Sequence, residues 1–382
     1  MNIVKLLQPA RIEFGVDSIK QLPNDQLVLD ASKILLMVAE PLLVVGEELM
    51  KAMSAANKSV TLLPYIYPGE PTFALFDSLL KEARAINPDL VIGIGGGSVL
   101  DTAKLLAAMI ENEQEYRNVI GVGILKTRNR RLICVSTTSG TGSEVSPISI
   151  LLDESTSSKN GIVSAALLAD AAYIDPTLSV GLPPRITAET AVDALCHCVE
   201  AYTNINSHVA VDTYALKGIQ LIASQLRNAF DNGTDLDARS ALALGSMYGG
   251  LCLGPVNTHG VHCLSYGLGG KYKITHGLAN AVLLPAVLEF ILPVSAQRLA
   301  DVALAMGVNK KETIEANARA GIQYIRELSA YCGIPATLTE LGIKSGDLSG
   351  LADIAMGVTR LLKNSPRPIS HADAVGIYSS IL

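Results

Sequence analysis

Short, unbroken apolar runs punctuate the first half of the chain. Lys33 to Ala39 (KILLMVA), Ser59 to Tyr65 (SVTLLPY), Asp89 to Ile94 (DLVIGI) and Arg131 to Ser136 (RLICVS) read as strands buried on both faces. Between the first three lie segments of helical period. In Phe73 to Ile86, Leu75, Leu79 and Ala83 recur at four-residue spacing. Buried strands separated by helices predict a mostly parallel sheet. Ile148 to Ile174 is less regular and leaves room for extra strands or a hairpin.

The pattern changes at Tyr173 to Thr187 (YIDPTLSVGLPPRIT), a stretch dense in turn formers. Its pair Pro183-Pro184 suits the end of one element and the start of a helix. Beyond it come long helical periodicities and no convincing strand. The expected architecture is therefore an N-terminal α/β domain, residues 1–183, followed by an all-helical domain, residues 184–382. No internal repeat or low-complexity segment appears.

Length and composition agree with that division. The 382 residues are too many for one ordinary core, and with 49% hydrophobic and 17% charged residues a large core can be buried. The net charge of −6 argues against nucleic acid as a partner, and the one basic cluster, Lys126 to Arg131, lacks interleaved aromatics and reads as a loop before a strand. The six cysteines form no CxxC pair, which fits a reducing compartment better than a disulfide framework. No signal peptide is expected at the N-terminus. The greasiest stretch, Ala279 to Val294, is interrupted by Pro285 and Glu289 and reads as too short for a bilayer. The expectation is a cytoplasmic protein with no membrane partner.

Three polar features stand at strand ends. After the run at Asp89 to Ile94 come Gly95, Gly96, Gly97 and Ser98, then a helix carrying Asp101 and Lys104. Glycines allow close approach of a ligand, and a helix N-terminus offers free N–H groups to a pyrophosphate. The strict GxGxxG pattern fails at Ser98, so a plain tight turn is the alternative, and Asp101 could simply complement the helix dipole. Ser136 to Glu144 (STTSGTGSE) follows another strand and suits a cofactor's phosphates or amide, or else a surface loop. Glu40 ends the first strand. It could accept from a ribose diol and repel a 2′-phosphate, favouring NAD over NADP, or merely start a helix.

In the helical half, Asp193 and His197 are four residues apart and share a helical face, which Glu200 continues. A solvated stripe is the ordinary reading of such a pair. Val192, Leu195, Cys196, Val199 and Ala201 surround it, however, so the helix looks buried. Further on, His259, His262 and His276 fall within 18 residues of a chain that has six histidines. Asp193, His197, His262 and His276 would offer three nitrogens and one oxygen, a set suited to Fe(II) or Zn(II) with a position left for a substrate oxygen. His259 is either a pocket residue or a loop histidine, and His208 and His371 read as surface residues.

These residues, taken together, resemble the iron-containing, metal-dependent alcohol dehydrogenases, with GIGGGSVLDTAK, STTSGTGSEVS, DALCHCVEAY and VHCLSYGLGGKYKITHGLANAVLLP in order along essentially the whole chain. The resemblance implies a dinucleotide-binding α/β domain and a helical metal-binding domain of dehydroquinate synthase-like architecture, assembled as homodimers or higher assemblies of dimers. It implies Asp193, His197, His262 and His276 as metal ligands. Gly96, Gly97, Ser98, Asp101, Thr137, Thr138, Thr141 and Lys159 would meet NAD or NADP, with Glu40 where many NAD-preferring members carry aspartate. The sequence departs from the family at three places. Tyr266 stands where many members have a histidine of the proton relay, Glu70 replaces an asparagine, and Leu251 to His259 differs from the usual stretch before the third ligand. Tyr266 and His259 are the candidates for assisting proton transfer.

The implied activity is reversible hydride transfer between NAD(P)H and a small aldehyde or ketone. His259, Lys271 and Lys273 raise the sharper expectation of an anionic aldehyde, against lysines that simply face solvent. A metal- and NAD-dependent lyase of the dehydroquinate synthase type would need more basic residues than the chain offers, and a nucleotide-binding sensor would not need four ligands in register.

Overall fold

The computed structural model describes residues 3–67, 69–156 and 158–382. The chain divides into two compact units. One spans Leu7–Thr138 and Gly142–Ser179, and the other spans Val180–Leu382 with Ser139–Thr141 and the N-terminal residues through Leu6.

The first unit runs β1 (Arg11–Phe14), α1 (Gln26–Asp30), β2 (Lys33–Ala39), α2 (Leu43–Ala55), β3 (Ser59–Tyr65), α3 (Phe73–Ile86), β4 (Leu90–Gly95), α4 (Gly97–Met109), β5 (Gly121–Val122), β6 (Arg131–Ser136), β7 (Ile148–Asp153), β8 (Ser158–Val163) and β9 (Ala171–Ile174). Six strands form one parallel sheet in the order β1-β9-β6-β4-β2-β3. Its inner strands are apolar without alternation because both faces are covered, one by a core built around Leu35, Met37 and Phe76, the other around Ile34, Leu36 and Met53. Strands β7 and β8 pair antiparallel and, with β5, make a separate small sheet. Helix α3 buries Phe76, Leu79, Leu80 and Ala83, a stripe rotated slightly from the one centred on Leu75. The short edge strand β1 has no pattern long enough to be read from sequence.

The strand order places the topological switch point between β2 and β4, and the register Val38↔Ile94 and Gly95↔Ser136 brings the carboxyl ends of β2, β4 and β6 side by side. Glu40, the Gly96–Ser98 turn and Thr137–Thr138 leave those three ends. The Thr137 N–H closes the row by donating to Gly95 O at 3.2 Å.

The second unit is helical throughout its described residues from Pro184 onward: α5 (Pro184–Thr203), α6 (Val209–Asp231), α7 (Leu236–Leu253), α8 (Gly260–Tyr272), α9 (His276–Ala305), α10 (Ile314–Tyr331), α11 (Leu348–Gly357), α12 (Thr359–Leu362) and α13 (His371–Ser379). Pro184 is the first residue of α5, where its missing N–H costs nothing. One apolar core, running from Ala188 to Tyr378, unites these helices.

Helix α9 corrects the reading of Ala279 to Val294 as a short segment. It extends over 30 residues, through Pro285 and Pro293, with its regular geometry broken at Ser295. By length and composition it could cross a bilayer, yet 72% of its most apolar window is buried inside this fold, packed against α5, α8 and α10. Its apolarity is that of a central core helix.

Candidate metal centre

Helix α5 is the base of the site. Almost every residue from Thr187 to Thr203 is buried, including Asp193 at 2%, His197 at 4% and Glu200 at 0% exposure. The solvated-stripe alternative therefore fails. The neighbouring helices are drawn close to this base. A Cβ on Gly277 would lie 2.4 Å from the backbone oxygen of Glu189, so the start of α9 touches α5 only because that residue is glycine. This contact brings His276, the first residue of α9, to Asp193. The Thr275 hydroxyl reinforces it by donating to Glu189.

One ligand atom from each of Asp193, His197, His262 and His276 lies within 4.8 Å of the others. Nε2 of His262 and Nε2 of His276 stand 3.7 Å and 3.8 Å from Asp193 Oδ1, and the rings of His197 and His262 stack at 4.7 Å. Burial alone would raise the Asp193 carboxyl, but His197, His276 and His262, with the Asn280 hydrogen bond, outweigh it and bring it down to about 2. Burial pushes the His197 imidazolium the other way, down to about 4. Near neutrality the cluster thus contains an ionised carboxylate and a neutral His197, the forms that ligate a cation.

Two residues of the site were given no role from the sequence. Glu200 lies one stripe position beyond His197, and its carboxylate has two tasks. Oε1 accepts from the backbone N–H of His259 at 3.2 Å and of Val261 at 2.7 Å, so it caps α8 from a neighbouring helix. Oε2 lies 2.5 Å from Nδ1 of His262. Burial again raises this carboxyl, and His259 and His262 override it, bringing it down to about 2. As an ionised acceptor it fixes the proton of His262 on Nδ1 and leaves the Nε2 lone pair toward the cluster.

The second is Asn280, one turn beyond His276 on α9 and 0% exposed. Its Nδ2 donates to Asp193 Oδ1 at 2.7 Å and lies 3.1 Å from His262 Nε2 and 3.3 Å from His276 Nε2. With one N–H on Asp193, the amide has a single N–H left to offer to either imidazole nitrogen. Asn280 Oδ1 is buried with no hydrogen-bond partner among the described residues. Three imidazoles and one ionised carboxylate converging in this way fit a divalent cation of the Fe(II) or Zn(II) type.

Other expectations sort differently. His259 is fully buried, with Nε2 2.9 Å from Thr203 Oγ1 and Nδ1 3.3 Å from Glu200 Oε1, off the line of a good hydrogen bond. It lies in the segment between α7 and α8, buried beside Glu200. Asp101 has partners inside its own unit: its carboxylate accepts from Ser143 and from Ile150 N and pairs with the buried Lys104 at 3.1 Å. Lys104 in turn donates to the carbonyls of Ser143, Ser146 and Ile148 and so anchors the loop that follows β6. Gly95 is required by packing, since its Cβ would fall 2.6 Å from Val99.

Gly96 caps α4 with no side-chain bond, and Gly97 and Ser98 are half-buried, leaving the N–H groups of a 13-residue helix to an anion. Glu40 is exposed, Thr137 buried, and Thr138 and Thr141 half-buried. The Lys159 ammonium pairs with Glu70 at 2.7 Å. The Tyr266 hydroxyl accepts from Arg360. Lys271 and Lys273 are exposed, Lys271 lying 3.8 Å from Asp347.

A parallel α/β unit with a glycine turn at its switch point, and a helical unit with a three-histidine, one-carboxylate cluster, define a metal-dependent dehydrogenase of dehydroquinate synthase-like architecture. Residues 9–176 match the family "Iron-containing alcohol dehydrogenase", and residues 187–382 match "Fe-containing alcohol dehydrogenase family, C-terminal". The chain belongs to the iron-containing alcohol dehydrogenase family and is an NAD(P)-linked oxidoreductase.

Among curated relatives, the chain is 38% identical over 388 residues to long-chain-alcohol dehydrogenase 1 of Geobacillus thermodenitrificans, covering 100% of this chain and 97% of the relative. It is 31% identical over 365 residues to sulfoacetaldehyde reductase of Bilophila wadsworthia, covering 94% of each. Among solved structures, a 1,3-propanediol oxidoreductase superposes with a TM-score of 0.95 at 30% identity, covering 100% of both chains.

Proposed function

We propose that Asp193, His197, His262 and His276 hold one divalent cation, Fe(II) or Zn(II), and that residues 1–183 bind NAD in preference to NADP. The observation that carries the proposal is the convergence of those four side chains within 4.8 Å. Such a cation supplies Lewis acidity toward a carbonyl or alkoxide oxygen, and the nicotinamide supplies the hydride. The overall change is aldehyde or ketone plus NADH plus a proton, giving alcohol plus NAD⁺.

The chain's own residues supply position and field. Glu200 holds His262 in the ligating tautomer, and Asn280 orients Asp193. The Gly96–Ser98 turn offers backbone N–H groups to the pyrophosphate, with Thr137, Thr138, Thr141 and Lys159 as further cofactor contacts. Glu40, at the end of β2, suits a free ribose diol and opposes a 2′-phosphate. Tyr266, one turn after His262, is the candidate for assisting proton transfer. A reducing, cytoplasmic compartment belongs to the same reading and is supported by six cysteines that are all free and buried; homodimers or higher assemblies of dimers are part of the proposal as well.

The test is a panel of small aldehydes and ketones, with NADH and NADPH, after loading with Fe(II) or Zn(II). Turnover that needs the metal and prefers NADH is expected. A metal-loaded protein inert across the panel, or one that converts a substrate without net NADH change, would overturn the reading.

A further inference from the structure

We propose that Arg360 binds the anionic end of the substrate, and that the substrate class is a short aldehyde carrying a carboxylate or sulfonate at its far end. The assignment rests on the reading of the cluster as a reductase site. It replaces the cations suggested by sequence, because His259 is buried against Thr203 and Glu200 and the lysines at 271 and 273 are exposed.

Helix α8 connects the cluster to Arg360. His262 and Tyr266 are four residues apart on that helix and share a face. The Tyr266 hydroxyl accepts a hydrogen bond from Arg360 Nη2, and the guanidinium carbon lies 5.9 Å from the ring centroid. Tyr266 is 6% exposed and Arg360 is half-buried. The guanidinium is therefore held at a fixed place beside the helix face that presents a candidate ligand.

Its charge is uncompensated. Among the described residues no carboxylate oxygen comes within 4.0 Å of Arg360. Arg84, Arg227, Arg239 and Arg367 also lack a carboxylate, but Arg84, Arg239 and Arg367 donate to backbone carbonyls and Arg227 is exposed over the Tyr331 ring. Arg360 donates to a neutral phenol, which leaves most of its five N–H groups for another partner. A half-buried guanidinium favours an anion, and its planar fork matches two coplanar oxygens of a carboxylate or sulfonate.

Helix geometry sets the scale. Four residues of rise separate His262 from Tyr266 by roughly 6 Å along the axis. Tyr266, which carries the Arg360 contact, is thus one helical turn from a candidate ligand, a spacing that suits a short aldehyde.

The experiment uses the metal-loaded enzyme with NADH. It compares kcat/KM for sulfoacetaldehyde and succinic semialdehyde with that for propanal, in the wild type, Arg360→Gln and Arg360→Lys, with Tm recorded for each. The wild type is expected to favour both anionic aldehydes. In Arg360→Gln the anionic-to-neutral ratio should fall about ten- to hundredfold, chiefly through KM, as loss of hydrogen bonds to a charged group implies. Arg360→Lys should recover part of that loss. A wild type that reduces propanal with no advantage for either anion, or a ratio unmoved in Arg360→Gln, overturns the assignment alone. Absence of turnover with every aldehyde overturns the reductase reading and this assignment with it.

Discussion

The Glu200 carboxylate reaches His262 from behind, with Oε2 2.5 Å from Nδ1, while its other oxygen caps the helix on which that histidine sits. The tautomer of a candidate ligand and the start of helix α8 are therefore held by one buried group. Glu200→Gln removes the charge but keeps the shape. It should weaken metal affinity about 10- to 100-fold, the usual cost of losing a carboxylate behind a ligating histidine. Competition with a chromophoric chelator measures this, and unchanged affinity would leave Glu200 as a helix cap only.

Asn280 makes the corresponding contact on the other side, donating to Asp193 at 2.7 Å. Asn280→Leu keeps the volume and removes the donor, leaving an ionised acceptor less satisfied in the core. The metal-free protein should lose about 1.5–3 kcal/mol of unfolding free energy, the usual worth of a hydrogen bond to a charged group. Urea unfolding of the two proteins checks the figure. A metal-loaded sample should recover part of the difference, because the cation then satisfies Asp193.

Gly277 sets the distance between α9 and α5. In Gly277→Ala the new methyl meets the backbone oxygen of Glu189, which cannot swing aside as a side-chain tip would. Overpacking of this kind costs about 1–3 kcal/mol and here displaces His276. Lower Tm together with substoichiometric metal, read by elemental analysis, is the expected pair of results. Full metal content with a normal Tm would show that α9 has room to move.

The buried imidazoles give the metal-free protein a pH dependence of defined sign. Burial depresses His197 to about 4 and also lowers His259, against an ordinary value near 6.5. Below about pH 6.5 the unfolded chain therefore takes up protons that the folded chain refuses, and stability falls as pH falls. Each such group contributes a slope of up to about 1.4 kcal/mol per pH unit between its unfolded and folded values. Asp193 and Glu200, both lowered to about 2, stay ionised in either state through most of this window and withdraw their contribution only below about pH 4. Urea midpoints at pH 7.5, 6.0 and 5.0 should decline in that order, and a flat profile would contradict neutral burial of these histidines.

Much of the fold was legible in the sequence. The apolar runs that became β2, β4 and β6 declare themselves because both faces of those strands are buried, whereas Ser59 to Tyr65 became β3, an edge strand buried only at Leu63 and Tyr65. Strands β1 and β9 are four residues each and exist through pairing with each other and with β6, which no local pattern reports. The partners of Asp101 are hidden from the sequence for a related reason, since Ser143 and Ile150 lie more than 40 residues away in the chain.

The order of residues alone determined the alternation of strands and helices and the three histidines and one aspartate of the cluster, because periodicity and ligand type are local properties. Only the tertiary structure decided which neighbours serve those four. Glu200, Asn280 and Arg360 act through distances to residues far along the chain, and both the burial that neutralises His197 and the imidazoles that keep Asp193 ionised against burial come together only when separate helices close around them.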